Sequence, residues 1–256
     1  MPPHSGLDEC SPTDSEVAIA RTVPKRLQQV LELPKPVAIR FGAPRDRTAD
    51  LLVEEQAVAN SLAGARRNAF TTGRWLAGEC QRDCFGLASA VGRSSDRSPV
   101  WPSGCTGSIT HTHDLVAAVV AKTGVAVSLG IDLEQRGRVG ERVLPRVLTA
   151  REHAQLFQRE ASERRDQATL IFSAKESIYK ALHPLLRRYI GFHEVEVLLD
   201  PEAHSMTARV LTSGPLQFTA ANGEVADTAG LAAQLQRARG YFWQDARHVF
   251  TVVAVI

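Results

Sequence analysis

Two acids stand two residues apart in Gly130-Ile131-Asp132-Leu133-Glu134. In a strand that spacing sends both carboxylates to one face and Ile131 and Leu133 to the other. Neighbouring carboxylates repel unless a cation or proton sits between them. Mg²⁺ is held in this manner, by one or two carboxylates together with waters and the phosphate oxygens of a substrate. The same spacing also describes a plain strand with a solvated polar face. A second cluster runs from Phe172 to Lys180, Phe-Ser-Ala-Lys-Glu-Ser-Ile-Tyr-Lys, and places Glu176 and Lys180 one helical turn apart on a shared face. A surface ion pair has that spacing, and so does a capping box between Ser173 and Glu176. The apolar positions Ala168 and Ile171 upstream favour a helix already under way at Ser173.

Lysine is scarce. The chain has five lysines against twenty-five arginines, and two of the five, Lys175 and Lys180, fall within six residues. Lysine can give up a proton and is a compact point charge for phosphate, whereas arginine stays protonated. Thr110 and His111, within Gly107–Thr112, offer a hydroxyl and an imidazole at a strand end, a pair suited to a phosphate. Arg66 and Arg74 lie eight residues apart, close to two helical turns, and so line one helix face.

The elements that must position these groups are legible in outline. Val37–Phe41 reads as a strand, and Leu51–Leu62 and Arg66–Cys84 have helical spacing. Gly92–Gly104 reads as a polar loop. Three apolar runs, Gly107–Thr112, Leu115–Ala121 and Val125–Glu134, predict neighbouring strands, with a turn at Thr123-Gly124. Thr149 and Glu152 predict a capped helix to about Arg159. A longer helix is expected from about Asp166 to Leu182, stopped by Pro184. The remainder is β-rich: Val195–Leu199, Thr207–Leu211, Gly240–Trp243 and Val249–Ile256. The fold class expected is α+β, as two lobes: residues 34–128 and 129–256, after a poorly ordered segment 1–33.

Bulk properties narrow the function. Lys plus Arg is 30 and Asp plus Glu is 28, a net charge of +2, which argues against a nucleic-acid coat. No apolar run suits a membrane span and no signal peptide opens the chain, so a cytoplasmic protein is expected. Cys10, Cys80, Cys84 and Cys105 match no zinc spacing and read as small apolar thiols. No P-loop and no Gly-x-Gly-x-x-Gly turn occurs, which disfavours a general nucleotide transferase.

Gly107–Thr112, Gly130–Glu134 and Phe172–Lys180, in this order and separation, resemble the Sfp-type 4′-phosphopantetheinyl transferases. Phe-Ser-x-Lys-Glu in the third motif and Trp101-Pro102 ahead of the first are similar to the enterobactin-synthase component D branch. The resemblance spans roughly residues 60–256. It implies two similar α+β lobes with the active site between them. It also implies Mg²⁺-dependent transfer of phosphopantetheine from coenzyme A to a serine of an acyl or peptidyl carrier protein. By position it implies Asp132 and Glu134 as metal ligands and Glu176 as a third acid, which either approaches the metal or serves as base. Lys180 would assist the leaving group. Arg66, Arg74, Arg93, Thr110, His111 and Lys175 would contact coenzyme A. Arg136, Arg138, Arg142 and Arg146 would meet an acidic carrier, or form a solvated loop. The expected partners are the carrier protein and coenzyme A, with no nucleic acid, no membrane and a monomeric chain. The alternative is a catalytically silent coenzyme A or carrier-binding module, against which the intact carboxylates and Lys180 speak.

Overall fold

The computed structural model describes Val23, residues 37–211 and residues 228–256. The expectation for residues 1–33 therefore lies outside the described residues, Val23 apart. Two antiparallel sheets organise the chain. The first has the order β1-β5-β4, from β1 (Ala38–Gly42), β4 (Cys105–His111) and β5 (Val116–Lys122). The second has the order β6-β10-β9-β8-β7, from β6 (Ser128–Gln135), β7 (Val195–Asp200), β8 (Ser205–Val210), β9 (Ala238–Gln244) and β10 (His248–Val255). A small ribbon pairs β2 (Gly92–Arg93) with β3 (Pro99–Val100), inside the stretch expected to be a plain polar loop.

Strand alternation explains the layers. In β5, Val116 and Ala118 pack with Leu76 and Ala77 of helix α2 (Gly64–Phe85), which follows α1 (Val53–Asn60). Ala117, Val119 and Ala121 turn the other way, into a core shared with Leu129, Ile131 and Leu133 of β6 and Phe250, Val252 and Ala254 of β10. The intervening residues of β10, Val249, Val253 and Val255, join a third cluster under the long helix that carries Ile171, Ala174, Ile178 and Leu182. That helix is α5 (Ala161–Leu186), preceded by α3 (Leu144–Val147) and α4 (Ala150–Phe157). The result is a helix–sheet–sheet–helix stack, and a last helix, α6 (Thr228–Arg237), buries Leu231 and Leu235. No helix among the described residues is long and apolar enough to cross a membrane.

The expected capping box at Thr149 is present: Thr149 N donates to Glu152 Oε2 at 2.8 Å and Glu152 N to Thr149 Oγ1 at 3.2 Å. The expected stop at Pro184 is not. Helix α5 passes through Pro184 and ends at Arg187, whose backbone is left-handed at φ 54° and whose N–H bonds His183 O at 2.8 Å. A proline in the last turn removes one amide donor, and here the helix continues for two residues beyond it.

The two sheets close on each other along β4 and β6 without ladder bonds. Instead, Ile131 N donates to Ser108 Oγ at 3.1 Å and Leu133 N to Thr110 Oγ1 at 3.2 Å. On the outer face of β6, α5 comes so near that a Cβ on Gly130 would land on Ser177 O and Ala181 N. Gly130→Ala must therefore push α5 away from β6. We expect a loss of about 1–3 kcal/mol or more, the usual cost of overpacking. The check is a denaturant midpoint compared with that of the unsubstituted chain.

Candidate active site

Because Gly130, Asp132 and Glu134 share one face of β6, the contact that admits α5 also lays both acids under that helix. Asp132 and Glu134 are buried. Lys180 reaches across from α5 and donates to Asp132 Oδ1 at 2.7 Å, to Ile131 O at 3.0 Å and to Thr110 Oγ1 at 3.4 Å. Thr110 in turn donates to Asp132 Oδ1 at 3.3 Å. The other oxygen of that carboxylate, Asp132 Oδ2, is buried without a hydrogen-bond partner. Burial of this kind is costly for an ionised oxygen.

Glu134 is held by Arg138, whose Nη1 contacts both of its carboxylate oxygens. Burial still pushes the Glu134 carboxyl above its ordinary range, against the pull of Arg138, and Asp132 adds to the rise. Glu176, one turn before Lys180, is half-buried and accepts no hydrogen bond from any described residue. Burial raises its pKa, Lys180 opposes the rise, and Asp132 and Glu134 reinforce it. Three carboxylates thus feel one another's charge. Such a donor set, with one buried oxygen unpaired, fits a divalent cation. Among the described residues no three acidic, His or Cys side chains stand gathered as a metal site. Lys180 and Arg138 already sit on two of the acids.

Above these residues opens a cleft of about 630 Å³ between the two sheets' ends, walled by Arg66, His111, Thr112, Glu134, Gln135 and Arg138 among others. His111 ends β4, exposed, with Nδ1 at 3.3 Å from Thr112 O. Arg66 is exposed at the start of α2. Arg74, two turns on, is buried: its Nη2 donates to Gly92 O at 3.0 Å and its Nη1 has no partner. Burial brings the Arg74 guanidinium down to about 10, Glu55 opposes this, and Arg93 is near enough to repel it. Arg93 itself is exposed on β2.

The structure does not bring Lys175, expected to contact coenzyme A, into this group. Its ammonium is enclosed in the second lobe, donating to Glu152 Oε2 at 2.7 Å, Phe192 O at 2.7 Å and Val147 O at 2.8 Å. All three of its donors are satisfied there. The physical reason is helical phase: Lys175 lies in the stripe of Ile171, Ala174, Ile178 and Leu182, while Lys180 is turned to Asp132 of β6. That stripe is visible in the sequence and was the available signal.

Sequence reasoning also missed Asp114 and His248. Asp114 Oδ1 lies 3.1 Å from His248 Nε2 and accepts from Thr112 Oγ1 at 2.8 Å, tying the turn after β4 to the start of β10 at the rim of the cleft. No local pattern announces a contact across 134 positions. Of the expected carrier-facing arginines, Arg136 is engaged with Asp166 at 2.8 Å and Arg138 with Glu134, whereas Arg142 and Arg146 are exposed.

Two family models match the chain: the 4′-phosphopantetheinyl transferase N-terminal domain over residues 53–121 and the 4′-phosphopantetheinyl transferase superfamily over residues 128–235. The 4′-phosphopantetheinyl transferase Svp of Streptomyces mobaraensis is 36% identical over 183 residues, 68% of this chain and 71% of that protein. The 4′-phosphopantetheinyl transferase PptT of Mycobacterium tuberculosis is 31% identical over 160 residues, 62% of this chain and 69% of that one. Enterobactin synthase component D of Salmonella typhimurium is 32% identical over 146 residues, 56% of this chain and 60% of that one.

The placement of Lys175 has a measurable consequence. Lys175→Met removes one partner of a pair whose side chains are 2% and 1% exposed and strands a buried carboxylate. We expect a loss of roughly 3–5 kcal/mol in unfolding free energy. The KM for the donor of the folded fraction should stay within about twofold of normal, because a group outside the cleft provides no binding to lose. Denaturant unfolding and steady-state kinetics check the two halves.

Proposed function

This chain belongs to the 4′-phosphopantetheinyl transferase family and transfers phosphopantetheine to carrier proteins, and we propose that it does so with Mg²⁺ at Asp132, Glu134 and Glu176. The observation that supports this most directly is the buried, unpartnered Asp132 Oδ2 on the strand face shared with Glu134, which lines the cleft. When bound, the metal supplies a Lewis acid for the pyrophosphate of coenzyme A.

The residues divide the remaining work. Arg66 and His111, on the cleft wall, grip the phosphates of the donor. Arg74, whose Nη1 is buried without a partner, and Arg93 are the second pair assigned to an anionic group of the donor. Thr110 and Lys180 hold Asp132 in place. A serine hydroxyl of the carrier attacks the β-phosphorus. Its proton passes to Glu176, which carries no hydrogen bond from any described residue. The new bond is serine oxygen to phosphorus, and the bond that breaks releases adenosine 3′,5′-bisphosphate. Lys180 neutralises that leaving phosphate. The two lobes, 34–128 and 129–256, are taken to meet at this cleft, a division supported by the change of sheet between Lys122 and Ser128. The chain would act as a cytoplasmic monomer.

The test is transfer itself. Incubation with coenzyme A, Mg²⁺ and an apo carrier should add phosphopantetheine to the carrier, seen by mass spectrometry, and a chelator should stop it. An unmodified carrier would overturn the reading. Asp132→Ala should remain folded yet inactive. Lys180→Arg keeps the charge and loses the readily donated proton. A fall of about 10²-fold or more in kcat is expected if Lys180 is a general acid; near-normal turnover would reduce it to an electrostatic contact.

His111 can be tested on its own. Coenzyme A differs from dephospho-coenzyme A only in the 3′-phosphate, remote from the reacting phosphorus. A charge-assisted hydrogen bond there is worth roughly 1.5–3 kcal/mol, or about 10- to 150-fold. His111→Ala should therefore lower kcat/KM for coenzyme A by about that factor, mainly through KM, and barely alter that for dephospho-coenzyme A. An unchanged ratio of the two would remove His111 from the 3′-phosphate.

A further inference from the structure

The cleft is lined by a cation, Arg138, that was expected to face the carrier and is instead turned inward. Arg138 bends back over the strand it has just left and sits on both oxygens of Glu134. The bend is made at Gly137, where the backbone is left-handed at φ 72° and Arg138 N donates to Gln135 O at 3.1 Å. That conformation is one glycine adopts at little cost.

The loop backbone is fastened on either side of this residue. Arg136 is bonded to Asp166 of α5 through Nε at 2.8 Å and to Asp245 O through Nη1 at 3.1 Å. On the other side the buried Val139 N donates to Thr169 Oγ1 of α5 at 3.1 Å. Between two anchors on the same helix, the Arg138 side chain is exposed and is held by Glu134 alone. It is 60% exposed, whereas the Glu134 side chain beneath it is 9% exposed. The guanidinium can therefore swing into the cleft it lines without uncovering core, while Glu134 cannot follow. Glu134 needs a cation in either position, because an unpaired buried carboxylate is costly.

We propose that Arg138 is an exchangeable counter-ion. It pairs with Glu134 in competition with a divalent cation and, where the cation takes its place, turns to the donor's phosphates in the same cleft. The inference rests on the reading of Glu134 as a metal ligand. It makes metal and arginine competitors for one carboxylate, and makes the displaced guanidinium a phosphate contact that this chain adds to Arg66 and His111. An arginine fork suits that second role, since it matches phosphate oxygens two at a time.

Mn²⁺ is a suitable probe, because its free form is counted directly by electron paramagnetic resonance without any turnover. Arg138→Gln, with no competing guanidinium, should bind Mn²⁺ about fivefold more tightly than the unsubstituted chain when no donor is present. At saturating Mn²⁺ the same variant should bind coenzyme A about fivefold more weakly by calorimetry. Arg138→Lys, which keeps a charge but not the fork, should fall between them in both measurements. Arg138 is a surface side chain on an anchored loop, so thermal melting should show all three proteins folded. Equal Mn²⁺ affinity in the unsubstituted chain and Arg138→Gln, or undiminished coenzyme A affinity in Arg138→Gln, would overturn the exchange. Failure of every protein to bind Mn²⁺ would instead overturn the metal reading, and the exchange with it.

Discussion

The approach of α5 to β6 is the constraint on which the site depends. The two elements run antiparallel: Gly130 lies against Ser177 and Ala181, Asp132 is met by Lys180, Arg136 by Asp166, and Val139 by Thr169. A side chain at position 130 would separate them at the near end of that run. The acids would then lie on an open polar face, and Lys180 would lose both Asp132 and the Ile131 carbonyl. Close backbone contact thus does more here than pack a core. It fixes the height at which a helix carrying a carboxylate and an ammonium passes over a strand carrying two carboxylates.

Burial of so much negative charge is tolerated because the chain brings its own cations. Lys180 and Arg138 neutralise Asp132 and Glu134 from opposite sides, one from the helix and one from the loop after the strand. Thr110 completes the arrangement by using one hydroxyl three ways: it donates to Asp132 and accepts from Leu133 N and Lys180. That hydroxyl also belongs to the seam between the sheets, where Ser108 and Thr110 take the place of ladder bonds. The Thr-His pair therefore has a structural half and a cleft-facing half. Thr110 joins the lobes, and His111, the next residue on the strand, points the opposite way by strand alternation, toward the cleft.

Much of this was legible in the sequence because it is local. The carboxylate pair follows from a period of two, the Glu176–Lys180 face from a period of 3.6, and the Thr149 cap from a spacing of three. Apolar runs predicted β4, β5 and β6 to within a few residues. The parts that were not legible are non-local or depend on phase. The Asp114–His248 contact joins turns far apart in sequence. The ribbon of β2 and β3 is two residues wide on each side, too short for any periodic signal. Pro184 misled because its position relative to the end of the helix, not its identity, decides whether a helix stops.

Lys175 and Lys180 show how far residue type alone can carry an argument. Scarcity of lysine drew attention to both, and on that ground they looked equivalent. Five residues along an α-helix amount to about 500° of turn, so their side chains leave the axis roughly 140° apart. One is driven into the apolar stripe, where only a full set of acceptors makes an ammonium tolerable, and Glu152, Val147 and Phe192 provide it. Burial still pulls the Lys175 pKa below its ordinary value, with Glu152 working against the shift. The other emerges half-buried, beside Glu176 and above Asp132. The same helix therefore uses one lysine to hold α3 and α4 against itself and the other to pair with Asp132 of β6. Both depend on α5 holding a single rotation about its axis, and that rotation is set by the contact at Gly130.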